Sequence, residues 1–147
     1  MDANQLAERT PRLGPEDALR IVEDLWGAAG EVTELPSERD RNFLIETGAG
    51  RRVLKVARRG EDRALLEAQN AMAARLGEAV RGYRFPEVIP SRAGRDIEEV
   101  AIGEVSHRVR LVEWVPGVPL ADLSAGDRPP SLLRELVRLM GAVDRAL

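Results

Sequence analysis

The stretch EVTELPSERDRNFLIETGAGRRVLKVARRG, residues 31–60, decides the fold. It holds three short strand-like runs separated by turn chemistry. Residues 31–35 read as a strand, and Pro36 to Arg41 as a polar loop. Asn42 to Thr47 alternate as a second strand, Gly48-Ala49-Gly50 reads as a tight hairpin, and Arg52 to Ala57 read as a third strand. Strands joined by such short turns run antiparallel, which argues against a parallel doubly wound sheet. The glycines do not form a dinucleotide fingerprint. Val53 stands where G-x-G-x-x-G needs its last glycine, and a strand follows where a helix would be needed.

Upstream, residues 15–29 read as a helix. Pro15 suits its first position, Glu16 and Asp17 suit the positive end of its dipole, and Leu19, Val22, Leu25 and Trp26 share a face. Gly27 and Gly30 supply its stop. Downstream, residues 61–76 switch to helical period, with Leu65, Ala68, Met72 and Leu76 on one face and Gly77 closing the helix. Strands are expected at 87–89, 97–102 and 105–115. A last helix from Ser131 carries Leu133, Leu136, Met140, Val143 and Leu147 in one stripe. The expected class is α+β: a curled antiparallel sheet of about five strands with one long packed helix, plus N- and C-terminal helices.

Composition narrows the function. The chain has 147 residues, no cysteine and one histidine, so a disulfide scaffold, a thiolate metal site and a histidine-rich zinc site are not expected. A formal net charge of −3 argues against a general nucleic-acid binder. No apolar run approaches the roughly 20 residues of a membrane helix, and the N-terminus has no apolar signal core, so the expected location is the cytoplasm. Of 22 basic residues, 21 are arginine and only Lys55 is lysine. Lysine is a compact point charge on a slim stem, whereas arginine is a planar fork. Lys55 is therefore either a chance survivor or a position where arginine fails.

Within the third strand, Val53 and Lys55 share one face and Leu54 and Val56 the other. Glu67, on the next helix, is spaced to return over the sheet and orient Lys55 toward an anion; a surface pairing is the plainer alternative. The loop from Ser37 through Arg39 to Asn42 gathers donors at a turn, as phosphate-binding loops and ordinary polar loops both do. Residues Arg110 to Gly117 form an apolar strand that breaks into an extended linker, suited to a flat heteroaromatic ring or to simple core packing around Trp114. His107 lacks the partners of a catalytic triad and reads as a surface or strand-edge residue.

Taken together, these segments resemble the N-terminal, protein-kinase-like lobe of the aminoglycoside phosphotransferase (choline/hydroxylysine-kinase-like) family. The resemblance covers roughly residues 15–147. Leu35-Pro36-Ser37-Glu38-Arg39-Asp40-Arg41-Asn42-Phe43 is similar to a loop of the branch that includes phosphotransferase domains fused to class III aminotransferases. Val53-Leu54-Lys55-Val56 resembles the strand bearing the ATP-phosphate lysine. Leu66-Glu67-Ala68-Gln69-Asn70 resembles the helix whose glutamate pairs with it, and Leu111 to Gly117 resemble the hinge. The resemblance implies that ATP is held by Lys55, Glu67, Ser37, Arg39, Asn42, Phe43, Glu113, Trp114 and Val115.

The catalytic loop and magnesium motif of such kinases are missing: His107 is followed by Arg108 and Val109, and Asp122, Asp127 and Asp144 are isolated. No catalytic or metal-binding residue is therefore assigned, and Mg²⁺ is expected only with a further lobe. Residues 1–14 are expected to be a tail, 15–117 the nucleotide-binding lobe, and 118–147 a linker and the start of a C-terminal lobe. The implied function is phosphate transfer from ATP to a hydroxyl of a small amine-bearing substrate, catalytically incomplete in this chain. The alternative is a non-catalytic nucleotide- or partner-binding module. Residues 131–147 are the expected contact for a second copy or the missing lobe.

Overall fold

The structure, a computed structural model, describes residues 11–147. The elements are α1 (Pro15–Trp26), β1 (Gly30–Leu35), β2 (Arg41–Thr47), β3 (Gly50–Val56) and α2 (Arg63–Ala79). They continue with β4 (Val88–Ile89), β5 (Glu98–Ile102), β6 (Val105–Glu113) and α3 (Pro130–Ala146). One antiparallel sheet runs β1-β2-β3-β6-β4, and β5 also pairs with β6. The class is α+β as expected, with six strands where about five were expected.

Alternation gives the sheet two unlike faces. On the outer face, Phe43, Ile45, Leu54, Val56, Val109 and Leu111 are fully buried, and Leu13, Ala18 and Val22 close over them. Helix α1 covers this face because Pro15 opens it and Gly27, at φ 69°, ends it in the left-handed conformation. Residues 1–10 of the expected tail lie outside the described residues. Pro11 and Leu13 are no tail, since both are buried in the core.

Helix α2 is seated differently. Asp62 caps it by accepting from the Ala64 N–H at 2.9 Å. Its buried residues are Leu66 and Leu76, with Leu66 packed against Ala57 and Ile97. The expected face is thus out of phase in its first part: Leu65 and Met72 stand nearly half exposed, while Leu76 is buried as expected. Gly77 does not close the helix but lies inside it, where Glu87 packs so closely that a Cβ would meet its carboxylate.

His107 is not at the surface. It is 5% exposed, with Nδ1 2.9 Å from the Ala57 carbonyl oxygen, tying β6 to the exit of β3. Helix α3 has no buried residue, and Leu133, Val137 and Met140 are each more than 60% exposed. It touches α2 and its exit loop through Tyr83, whose hydroxyl donates to Glu135 at 2.9 Å, and through Arg75, which donates to the Ala146 carbonyl. Among the described residues, no helix is long and apolar enough to cross a membrane.

Candidate functional site

The inner face of the sheet carries the chemistry. Register places Leu35, Asn42, Lys55 and Arg110 in one row across β1, β2, β3 and β6. The next row on the same face is Thr33, Leu44, Val53 and Val112. A polar, cationic row therefore lies beside a row ending in three aliphatic side chains. Directly opposed residues on antiparallel strands hold their Cβ atoms about 5 Å apart, so Lys55 has Asn42 on one side and Arg110 on the other.

Lys55 is half-buried and, among the described residues, forms no ion pair within 4.0 Å. Burial holds its ammonium below the usual lysine range, neighbouring Arg110 pushes the same way, and Asp40 partly opposes both. The repulsion falls on Lys55 because a guanidinium keeps its proton at any ordinary pH. Burial also lowers Arg110, again opposed by Asp40. Asp40 is the one acid acting on both cations. Its Oδ1 accepts from the Arg58 N–H at 3.2 Å, which fastens the 37–40 loop to the end of β3.

Arg110 is the group that the sequence reading missed. It is 5% exposed and donates to the Leu66 carbonyl (3.2 Å), Asn70 Oδ1 (2.7 Å) and Gln69 Oε1 (2.8 Å). All three acceptors are neutral and lie on α2. Its β6 strand alternates, so its position on the face of Val112 was legible; its pairing opposite Lys55 was not.

The expected partner of Lys55 is elsewhere. Glu67 is exposed and pairs with Arg63 at 2.8 Å, one turn earlier on α2. Phe43 must also be corrected: it opposes Leu54, is fully buried, and belongs to the outer core on the side of the sheet away from Lys55. Asn42 does sit beside Lys55, and its Oδ1 is buried without a hydrogen-bond partner. Ser37 and Arg39 lie exposed in the loop leading into that row.

At the other end of the β3–β6 pair, Glu113 opposes Arg52 and the strand stops. Glu113, Trp114 and Val115 border a cavity of about 600 Å³ together with Arg51, Arg52 and Tyr83. Lys55 is not among its lining residues. Among the described residues no group of three or more histidine or acidic side chains could hold a metal ion.

An antiparallel sheet with a half-buried lysine on the face that packs against a helix is the geometry of a kinase-like lobe. The model of the phosphotransferase enzyme family (APH) matches residues 31–147, and the chain belongs to that family. Among solved structures, the chain is similar to an amicoumacin kinase in complex with AMP-PNP, Ca²⁺ and Ami, with a TM-score of 0.74 at 16% identity. That match covers 99% of this chain and 42% of the other. A microcompartment-associated aminopropanol kinase matches with a TM-score of 0.60 at 21% identity, over 79% of this chain and 38% of that one. The chain thus spans about two fifths of the length of these structures. No curated protein sequence matches it.

Proposed function

We propose that this chain is the ATP-binding lobe of a small-molecule kinase that phosphorylates a hydroxyl of a small amine-bearing substrate. The observation that carries the reading is the inner face itself: two partly desolvated cations, one nearby acid, and an aliphatic row beside them. A charge held out of water without a counter-ion is unfavourable, and a polyphosphate supplies that counter-ion. The aliphatic row Leu44, Val53 and Val112 suits the flat apolar faces of a base, with the main chain at 113–115 as its polar edge.

In this reading Lys55 neutralises phosphate charge and Asn42 completes the row. Ser37 and Arg39 reach the phosphates from the loop above. Glu67 has no part in it, because its carboxylate is committed to Arg63. In this reading the chain's part is nucleotide binding, and no described residue is assigned to the metal that accompanies ATP. The amine-bearing acceptor is suggested by the aminopropanol kinase that the fold resembles. The exposed stripe of α3 is where a further lobe or a second copy would pack.

Binding of ATP and of adenosine to wild type and Lys55→Met tests this. The variant should lose about tenfold or more in ATP affinity and little in adenosine affinity, since a charge-assisted phosphate contact is removed and the base contacts remain. Equal ATP affinity would remove Lys55 from the phosphate site.

A further inference from the structure

We propose that Lys55 and Arg110 form a two-cation clamp for a polyphosphate. Arg110, braced on α2 by neutral acceptors, keeps its charge beside the lysine instead of having it cancelled by a carboxylate. This rests on the nucleotide reading above and deepens it.

Three observations converge on Arg110. Its Cα opposes that of Lys55 in the β3–β6 register, so two positive charges stand side by side on one face. Its fork is immobilised by the Leu66 carbonyl, Asn70 and Gln69, none of which carries charge. Its surroundings are nearly dry, at 5% exposure. A guanidinium meant only to bolt a helix to a sheet is best served by a carboxylate, which would make stronger charge-assisted bonds and cancel the charge. Amides give the same directionality and leave the charge in place.

The acid nearest these acceptors on the helix, Glu67, is exposed and pairs with Arg63. The net effect is an inner row with two cations against Asp40 alone, next to a buried Asn42 oxygen that lacks a partner. The clamp also makes α2 part of the site. An anion drawn to Lys55 and Arg110 pulls on a residue bonded to three acceptors on one face of the helix, so its binding should stiffen α2 against β6.

The single lysine makes the test clean. The 147-residue chain, labelled with ¹⁵N,¹³C-lysine, shows one lysine spin system with a single Nζ resonance, and it is titrated with inorganic tripolyphosphate and with ATP. In wild type both should shift the Lys55 resonance. Asn70→Asp keeps the fork braced but neutralises Arg110. It should weaken tripolyphosphate binding about tenfold or more while thermal stability holds or rises. Arg110→Gln should weaken binding similarly, and Arg110→Lys should restore part of it. Should Arg110→Gln fail to fold, Asn70→Asp decides the matter. If Asn70→Asp binds tripolyphosphate as wild type does, the clamp is wrong and the nucleotide reading survives. If neither anion moves the Lys55 resonance in wild type, both fall together.

Discussion

The two faces of this sheet are built from the same strands, residue by residue in alternation, and they could hardly differ more. The outer face places Phe43, Ile45, Leu54, Val56, Val109 and Leu111 against α1 with no exposure at all. The inner face sets half-buried Asn42 and Lys55 beside buried Arg110, with Asp40 the acid that acts on both cations. Hydrophobic burial stabilises the first. The second holds charge in a setting that opposes it, an arrangement that serves binding rather than stability. A residue's place in this protein therefore depends first on its parity along the strand.

The comparison breaks most severely on the outer face. Leu54→Ala should cost about 2–5 kcal/mol in urea unfolding, through lost transfer energy and the cavity left under α1. Its inner-face neighbour Lys55→Met should cost far less, since it removes a charge that burial disfavours. A small difference between the two variants would mean that the faces are not energetically distinct.

A second prediction turns on pH. Because the folded chain holds the Lys55 pKa below its ordinary value of 10.5, the unfolded chain binds more protons in the window just beneath 10.5. Stability contributed by this group therefore rises as pH rises through that window. Subtracting the Lys55→Met profile from wild type isolates the slope. A falling difference would show that Lys55 gains, rather than loses, charge stabilisation on folding.

Asp40→Asn sharpens the electrostatics of the inner face alone. It keeps an oxygen for the Arg58 N–H and removes the acid that acts on both cations. The Lys55 resonance should titrate at lower pH, and tripolyphosphate affinity should rise roughly two- to fivefold. The smallest effect belongs to Glu67→Ala. An exposed pair one turn apart is worth about 0.5 kcal/mol or less, and nucleotide affinity should not change. A large loss of affinity would restore Glu67 as the partner of Lys55.

Much of this was legible in the residues before any fold was known. Short turns at 36–41 and 48–50 required antiparallel strands, and two-residue alternation put Lys55 with Val53 and opposite Leu54. Helix α2 was harder. Leu65 and Leu66 are adjacent and equally apolar, so hydrophobic period alone could not choose the buried one. Choosing Leu65 displaced the start of the face by about 100°, while Leu76 at its far end is buried as expected. The same weakness put Phe43 at the site, because a loop resemblance carries no information about which side of a strand a residue faces.

The sequence by itself determined the antiparallel order, the alternation of faces and the solitary lysine on one of them. Backbone geometry enforces those features over a few residues at a time. Only the tertiary structure decided that β3 lies against β6, so that Arg110 stands beside Lys55, and that α2 offers Gln69 and Asn70 there while Glu67 turns to Arg63. Register between distant strands and the rotation of a packed helix are settled by the fit of many side chains at once, which no local spacing encodes.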